Sequence, residues 1–103
     1  MHRPGCDPDA MEPRDFLCDF CGQDWTRAGP FVEGHHGACI CGGCLRQALH
    51  VTEPATGPRR CNLCLAERPD VAWSRGEARL CARCREQAAR VLGKDAQSGW
   101  SRT

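Results

Sequence analysis

Eight cysteines fall into four C-x2-C pairs: Cys18/Cys21, Cys41/Cys44, Cys61/Cys64 and Cys81/Cys84. At that spacing both sulfurs can face one ion around a tight turn, and backbone N–H groups of the turn can offset thiolate charge. Gly22 suits such a knuckle because glycine tolerates a left-handed backbone, and Gly42-Gly43 inside the second pair reads the same way. Four pairs make two four-cysteine sets, the ligand complement of two Zn2+ ions per chain. Four thiolates fill a tetrahedral shell and leave no open position for water or substrate. The sites therefore read as structural, and no catalytic residue and no small-molecule substrate are expected. The spacing favours pairing within each half, 18/21/41/44 and 61/64/81/84. A cross-braced arrangement, first pair with third and second with fourth, stays open.

The remaining candidates are weaker. Cys39 turns the second knuckle into a C-x-C-x2-C run. It reads as a buried hairpin cysteine behaving as a small hydrophobe, with ligand exchange or an oxidation switch as the alternative. Cys6 reads as a free thiol. His35 and His36 sit in a Gly-rich turn and suit a solvated loop once the cysteine set is complete. His50 ends a helical pattern, where a partly charged imidazole suits the dipole.

A 103-residue chain could hold one ordinary domain, yet aromatic residues make up only 6% and Tyr is absent. Two modules of this size fall below the roughly 40 residues at which metals or disulfides become necessary. No signal peptide is expected from Met1–Ala10, and no run approaches the ~18 apolar residues of a membrane span. The thiols are therefore placed in a reducing, cytoplasmic compartment, where such pairs bind metal. Charge is uneven: residues 1–58 hold four Lys/Arg against eight Asp/Glu, and residues 59–95 hold nine against five. Each zinc with four thiolates adds a further −2, so only the second half keeps a basic bias. Iron in the same thiolates would give an electron-transfer protein, but no iron-specific signature is present.

The elements that must position the cysteines follow from the pattern. Residues 1–14 read as a flexible leader, 15–51 as a first four-cysteine module, 52–60 as a linker, 61–93 as a second four-cysteine module and 94–103 as a loose polar tail. Each second knuckle opens a helix. In the second module Cys84, Ala88, Val91 and Leu92 form an apolar stripe, with Gly93 as a C-cap. Val71-Ala72-Trp73 and Ala78-Arg79-Leu80 suit a hairpin around Ser74–Glu77. The expected fold class is a small metal-stabilised α+β: two tandem treble-clef-like zinc modules, each a knuckle, a short hairpin, a second knuckle and a helix.

Phe16-Leu17-Cys18-Asp19-Phe20-Cys21-Gly22-Gln23, Ala28-Gly29-Pro30 and Ile40-Cys41-Gly42-Gly43-Cys44-Leu45 together resemble the N-terminal four-cysteine zinc-binding domain of ClpX, a bacterial protein-unfolding ATPase. The resemblance covers residues 16–50, with a weaker second copy over 61–92 in which Leu65 replaces the knuckle glycine. Gly29-Pro30 lies closer to the first knuckle than in the family, residues 31–38 look like an insertion, and Gly42-Gly43 replaces an acidic pair. No G-x4-G-K-[ST] loop is present, so unfolding activity is not implied. The resemblance implies a module for dimerisation and for docking protein substrates or adaptors. Phe16, Leu17, Phe20, Trp25 and Phe31 either cover the metal or form a contact patch. The alternative is nucleic-acid binding by the second module, through Arg59, Arg60, Arg75, Arg79, Arg83, Arg85, Arg90 and Lys94.

Overall fold

A computed structural model describes residues 2–7, 9–50, 60–68, 71–95 and 97–101. The expected linker, apart from Arg60, lies outside the described residues, as do the last two residues of the tail.

Each half builds a two-stranded antiparallel hairpin and one helix. In the first, β1 (Phe31–Glu33) pairs with β2 (Cys39–Cys41), and α2 (Gly42–His50) follows at once. In the second, β3 (Val71–Arg75) pairs with β4 (Ala78–Cys81), and α3 (Ala82–Lys94) follows. A short α1 (Trp25–Ala28) precedes β1, capped by the Asp24 carboxylate on the Arg27 N–H. Residues 31–33, which read as part of an insertion, thus supply one strand of the first hairpin. The β3–β4 turn is tight, with Gly76 at φ 60°.

The two halves repeat the same knuckle and hairpin bonds. Cys18 N–H donates to Gln23 O, as Cys61 N–H does to Ala66 O. Asp19 N–H donates to Cys39 O while the Asp19 carboxylate accepts from Cys39 N–H, at 3.0 and 2.7 Å. Asn62 and Arg79 do the same at 2.7 and 2.8 Å. Thus Phe20 corresponds to Leu63, Gly22 to Leu65, Cys41 to Cys81 and Cys44 to Cys84.

The halves also pack against each other reciprocally. α2 meets α3, α2 meets β3, and α3 meets β1. That exchange is the mark of an isologous, two-fold contact. Phe20 of the first half stacks on Trp73 of the second, with ring centroids 5.5 Å apart. In the mirrored place the turn after β1 lies on Leu63, whose carbonyl accepts from His35 N–H at 2.9 Å. Arg85 donates to Ala48 O, near the end of α2, at 3.4 Å. One core results, running from Ile40 and Leu45 through Trp73 to Leu80 and Leu92.

Several expectations change. The leader folds back on the first module. Arg3 N–H donates to Asp15 O, and its guanidinium pairs with Asp24 at 3.3 Å. His2 meets Phe16 edge to face. The tail is anchored: Trp100 is buried, and its indole N–H donates to Gly42 O at 2.8 Å. Gly42 and Gly43 lie inside α2 rather than in a left-handed turn, so Gly42 is small for a different reason. A Cβ there would meet Trp100 Cδ1 at 2.6 Å. Gly93 lies within α3, whose C-cap is Asp95. Val91 leaves the apolar stripe, being 52% exposed, while Ala89 takes its place in the core.

Gly42→Ala should expel the Trp100 indole. Its expected cost is about 1–3 kcal/mol, the usual range for overpacking, read by denaturant unfolding of the zinc-loaded protein. Tryptophan emission should shift to the red. An unshifted spectrum with unchanged stability would show that the tail does not dock on α2.

Candidate metal centres

Each four-cysteine set is assembled from three pieces: a knuckle turn, the last residue of a hairpin, and the first turn of a helix. Cys18, Cys21, Cys41 and Cys44 gather in one group and Cys61, Cys64, Cys81 and Cys84 in another, with all four sulfurs of each within 4.8 Å. Pairing is therefore within each half, and the cross-braced alternative is removed. All ten cysteines are free thiols.

The spacing suits zinc. A Zn–S bond of about 2.3 Å in a tetrahedron separates the sulfurs by about 3.8 Å. Cys18 and Cys44 stand 3.9 Å apart, and Cys21 and Cys41 stand 3.7 Å apart. The first group lies mostly in the interior, with Cys18 fully buried and Cys44 nearly so. Sulfurs this close cannot all ionise without a cation among them. Sulfur–sulfur hydrogen bonding with Cys41 and Cys44 holds the Cys18 thiol far below the ordinary range. The same contact with Cys18 pushes Cys41 up to about 11 and drives Cys44 higher still. A divalent metal removes this conflict by stabilising all four thiolates. The two groups fit two zinc ions.

Backbone N–H groups supply the rest of the compensation, identically in both halves. Phe20 and Cys41 donate to Cys18 Sγ, and Cys44 donates to Cys41 Sγ, each at 3.4 Å. Leu63 and Cys81 donate to Cys61 Sγ, and Cys84 donates to Cys81 Sγ, again at 3.4 Å. The knuckle chain must then turn left-handed. Gly22 does so at φ 78°, and Leu65 does so at φ 62° despite its side chain. A non-glycine residue there costs about 1–2 kcal/mol. Leu65 recovers part of that by packing against the core.

Two arginines complete the shells. Burial pushes the Cys64 thiol up, but a hydrogen bond with Arg68 and further bonds outweigh it and bring it to about 7. At the first centre the arginine comes from the other half: Arg75, at the end of β3, donates to Cys44 Sγ at 3.4 Å. Neither arginine stood out in the sequence as a partner of a cysteine. The Asp19/Asn62 pair could have been found there, since both residues directly follow the first cysteine of a knuckle.

The other candidates stay outside the metal groups. His35 and His36 are exposed in the turn after β1, and His50 closes α2. Cys39 is fully buried, its thiol meets Gly37 O at 3.4 Å, and burial pushes it up from the usual thiol range. Its backbone does the structural work here, and Arg79 takes the same place in the other half. Such a thiol suits packing rather than exchange. Cys6 is half-buried against Met11.

Residues 17–53 match the family model of the ClpX C4-type zinc finger. Comparison with curated proteins and with solved structures finds no match. The matched segment holds the whole first metal group. The second group stands on its repeated geometry.

Metal analysis should return two zinc ions per chain. Arg75→Ala should weaken zinc retention at the first centre, although Arg75 belongs to the second half. The expected loss is about tenfold, the low end for a group that supports a ligand, because Arg75 is exposed. Competition with a chromophoric chelator measures it. Equal release of both ions from Arg75→Ala and from the parent protein would remove Arg75 from the shell. Gly22→Ala should cost about 1–2 kcal/mol through its left-handed backbone alone, since a Cβ there meets nothing within 4 Å.

Proposed function

We propose that this chain is a non-catalytic, zinc-dependent protein-docking module of the cytoplasm, in which the second half serves as the built-in dimer partner of the first. All eight paired cysteines act as ligands, one closed tetrahedral centre per half. Closed thiolate centres hold structure and offer no site to a substrate. The observation that carries the reading is the reciprocal packing of two like halves: α2 against β3 and α3 against β1. The ClpX-type zinc finger supports a binding module, and dimerisation of such modules is here met within one chain. Docking of another protein is then the role left to the outer surface. Free thiols throughout suit a reducing compartment. Among the described residues no helix is long and apolar enough to cross a membrane.

The arginines proposed for nucleic acid are partly used by the fold. Arg75 serves Cys44, Arg85 serves the end of α2, and Arg79 donates to Glu77 O. Arg83, Arg90 and Lys94 remain along one exposed side of α3, Arg60 is exposed just before Cys61, and Arg59 lies outside the described residues. That remnant is small beside the phosphate contacts that tight nucleic-acid binding needs, so protein docking is favoured.

Light scattering on the zinc-loaded protein should give a monomer of 11.4 kDa at high micromolar concentration. A stable homodimer would refute the internal-dimer reading. The immobilised holoprotein should retain a protein partner, and Cys41→Ser should lose it together with one zinc. Retention after that loss would move the docking surface off the first half.

A further inference from the structure

The two-fold contact between the halves is filled on one side and open on the other. On the filled side, Trp73 and Arg75 project from the same face of β3. Trp73 stacks on Phe20, and Arg75 reaches the Cys44 sulfur. Strand register gives their counterparts. Trp73 pairs with Leu80 as Val32 pairs with Ile40, and Arg75 pairs with Ala78 as Gly34 lies opposite Ala38. The mirrored place therefore holds Val32 for the indole, Gly34 for the arginine and Leu63 for Phe20.

Smaller side chains leave space there. A cavity of about 200 Å³ opens between β1 and α3, bordered by Val32, Gly34, Leu63 and Cys84. These are the counterparts of Trp73, Arg75, Phe20 and Cys44. Ala88 and Val91 form its wall along α3, and Glu33 stands at its edge. Val91 is one of only two large apolar side chains exposed among the described residues. What the cavity lacks is thus defined by the other side: one ring and, two residues on, one cation. Its charge agrees. A zinc centre with four thiolates carries −2; Glu33 adds one negative charge and Arg68, bound at Cys64, returns one positive, so the place stays negative, and Gly34 brings no cation to Cys84.

We propose that this groove binds an extended segment of a partner protein that presents an aromatic side chain and, two residues later, an arginine or lysine. The aromatic fills the space between Val32, Leu63 and Ala88, and the cation faces Glu33 and the second metal centre. The alternation of two residues matches a strand, whose side chains at i and i+2 share a face. A second copy of this chain does not supply the pair, because its Trp73 and Trp100 are buried, while its exposed Trp25 and Arg27 lie on the helix α1, where residues two apart do not share a face. The proposal rests on the docking reading and names the partner's chemistry.

The probe is a capped peptide with the sequence of residues 71–75, Val-Ala-Trp-Ser-Arg, titrated into the zinc-loaded protein by amide-resolved NMR. Expected shifts fall on Val32, Leu63, Ala88 and Val91. Replacing Trp by Ala, or Arg by Glu, in the peptide should weaken binding at least about tenfold, equivalent to about 1.4 kcal/mol. Val32→Trp should plug the groove from within and abolish the shifts, with two zinc ions retained. Val91→Lys serves the same purpose by placing a cation at the rim, should Val32→Trp not fold. No binding at millimolar peptide, equal binding by the plugged protein, or shifts centred on Phe20 would each overturn the groove assignment. If the holoprotein still retains a partner while the peptide fails, only the groove falls. If neither binds, the docking reading falls with it.

Discussion

Four sulfurs held within 4.8 Å of one another dominate this small protein. Their mutual repulsion as thiolates must be offset, and every nearby element is arranged to do so. The knuckle turns because its N–H groups must face inward to a sulfur. The hairpin ends at a cysteine so that its last amide reaches the first knuckle. The helix begins there, where its free N–H groups and dipole favour negative charge. A divalent ion supplies the remaining compensation. Secondary structure here is largely the geometry that neutralises four thiolates.

Metal alone does not complete the core. Each half offers only a two-stranded hairpin and one helix, too little to cover its own apolar face. The halves solve this together, each laying its helix on the other's hairpin. Phe20 gains a lid in Trp73, and the end of α2 gains a donor in Arg85. Arg75 extends the dependence to the four-cysteine group itself, since a residue of one half serves a cysteine of the other. The leader and tail add to the same body: Arg3 pairs with the Asp24 that caps α1, and Trp100 packs on the Gly42 that opens α2.

Much of this was legible in the residues. The four C-x2-C pairs, a helix opened by each second knuckle and the hairpin over residues 71–80 all follow from local spacing. What stayed hidden depends on contacts between distant parts. Gly42 looks like a turn glycine until Trp100 is seen against it. Val91 fits a helical period, but the period does not say which edge of the stripe a neighbour covers. Leu65 adopts a backbone that propensity disfavours, because the knuckle demands it. Arg75 belongs by sequence to one half and by contact to the other. The charged leader lacks apolar periodicity, yet Arg3 ties it to the first half through the Asp24 ion pair and a backbone bond to Asp15. Composition alone cannot reveal that.

The repeat also constrains where the two copies can differ. Positions that bond to sulfur or close the knuckle stay chemically alike, as Asp19 and Asn62 do, because the same backbone atoms need the same acceptor. Positions on the two-fold contact are freer, since a two-fold interface survives if one of its two equivalent sites is well filled. Trp73 with Phe20 fills one site and carries the packing there. Val32 with Leu63 is thereby released from that duty and leaves a cavity beside a metal centre. A strict homodimer could not make this division, because any change would appear at both sites at once. Joining the halves in one chain lets one side of the contact hold the fold while the other is freed from that packing.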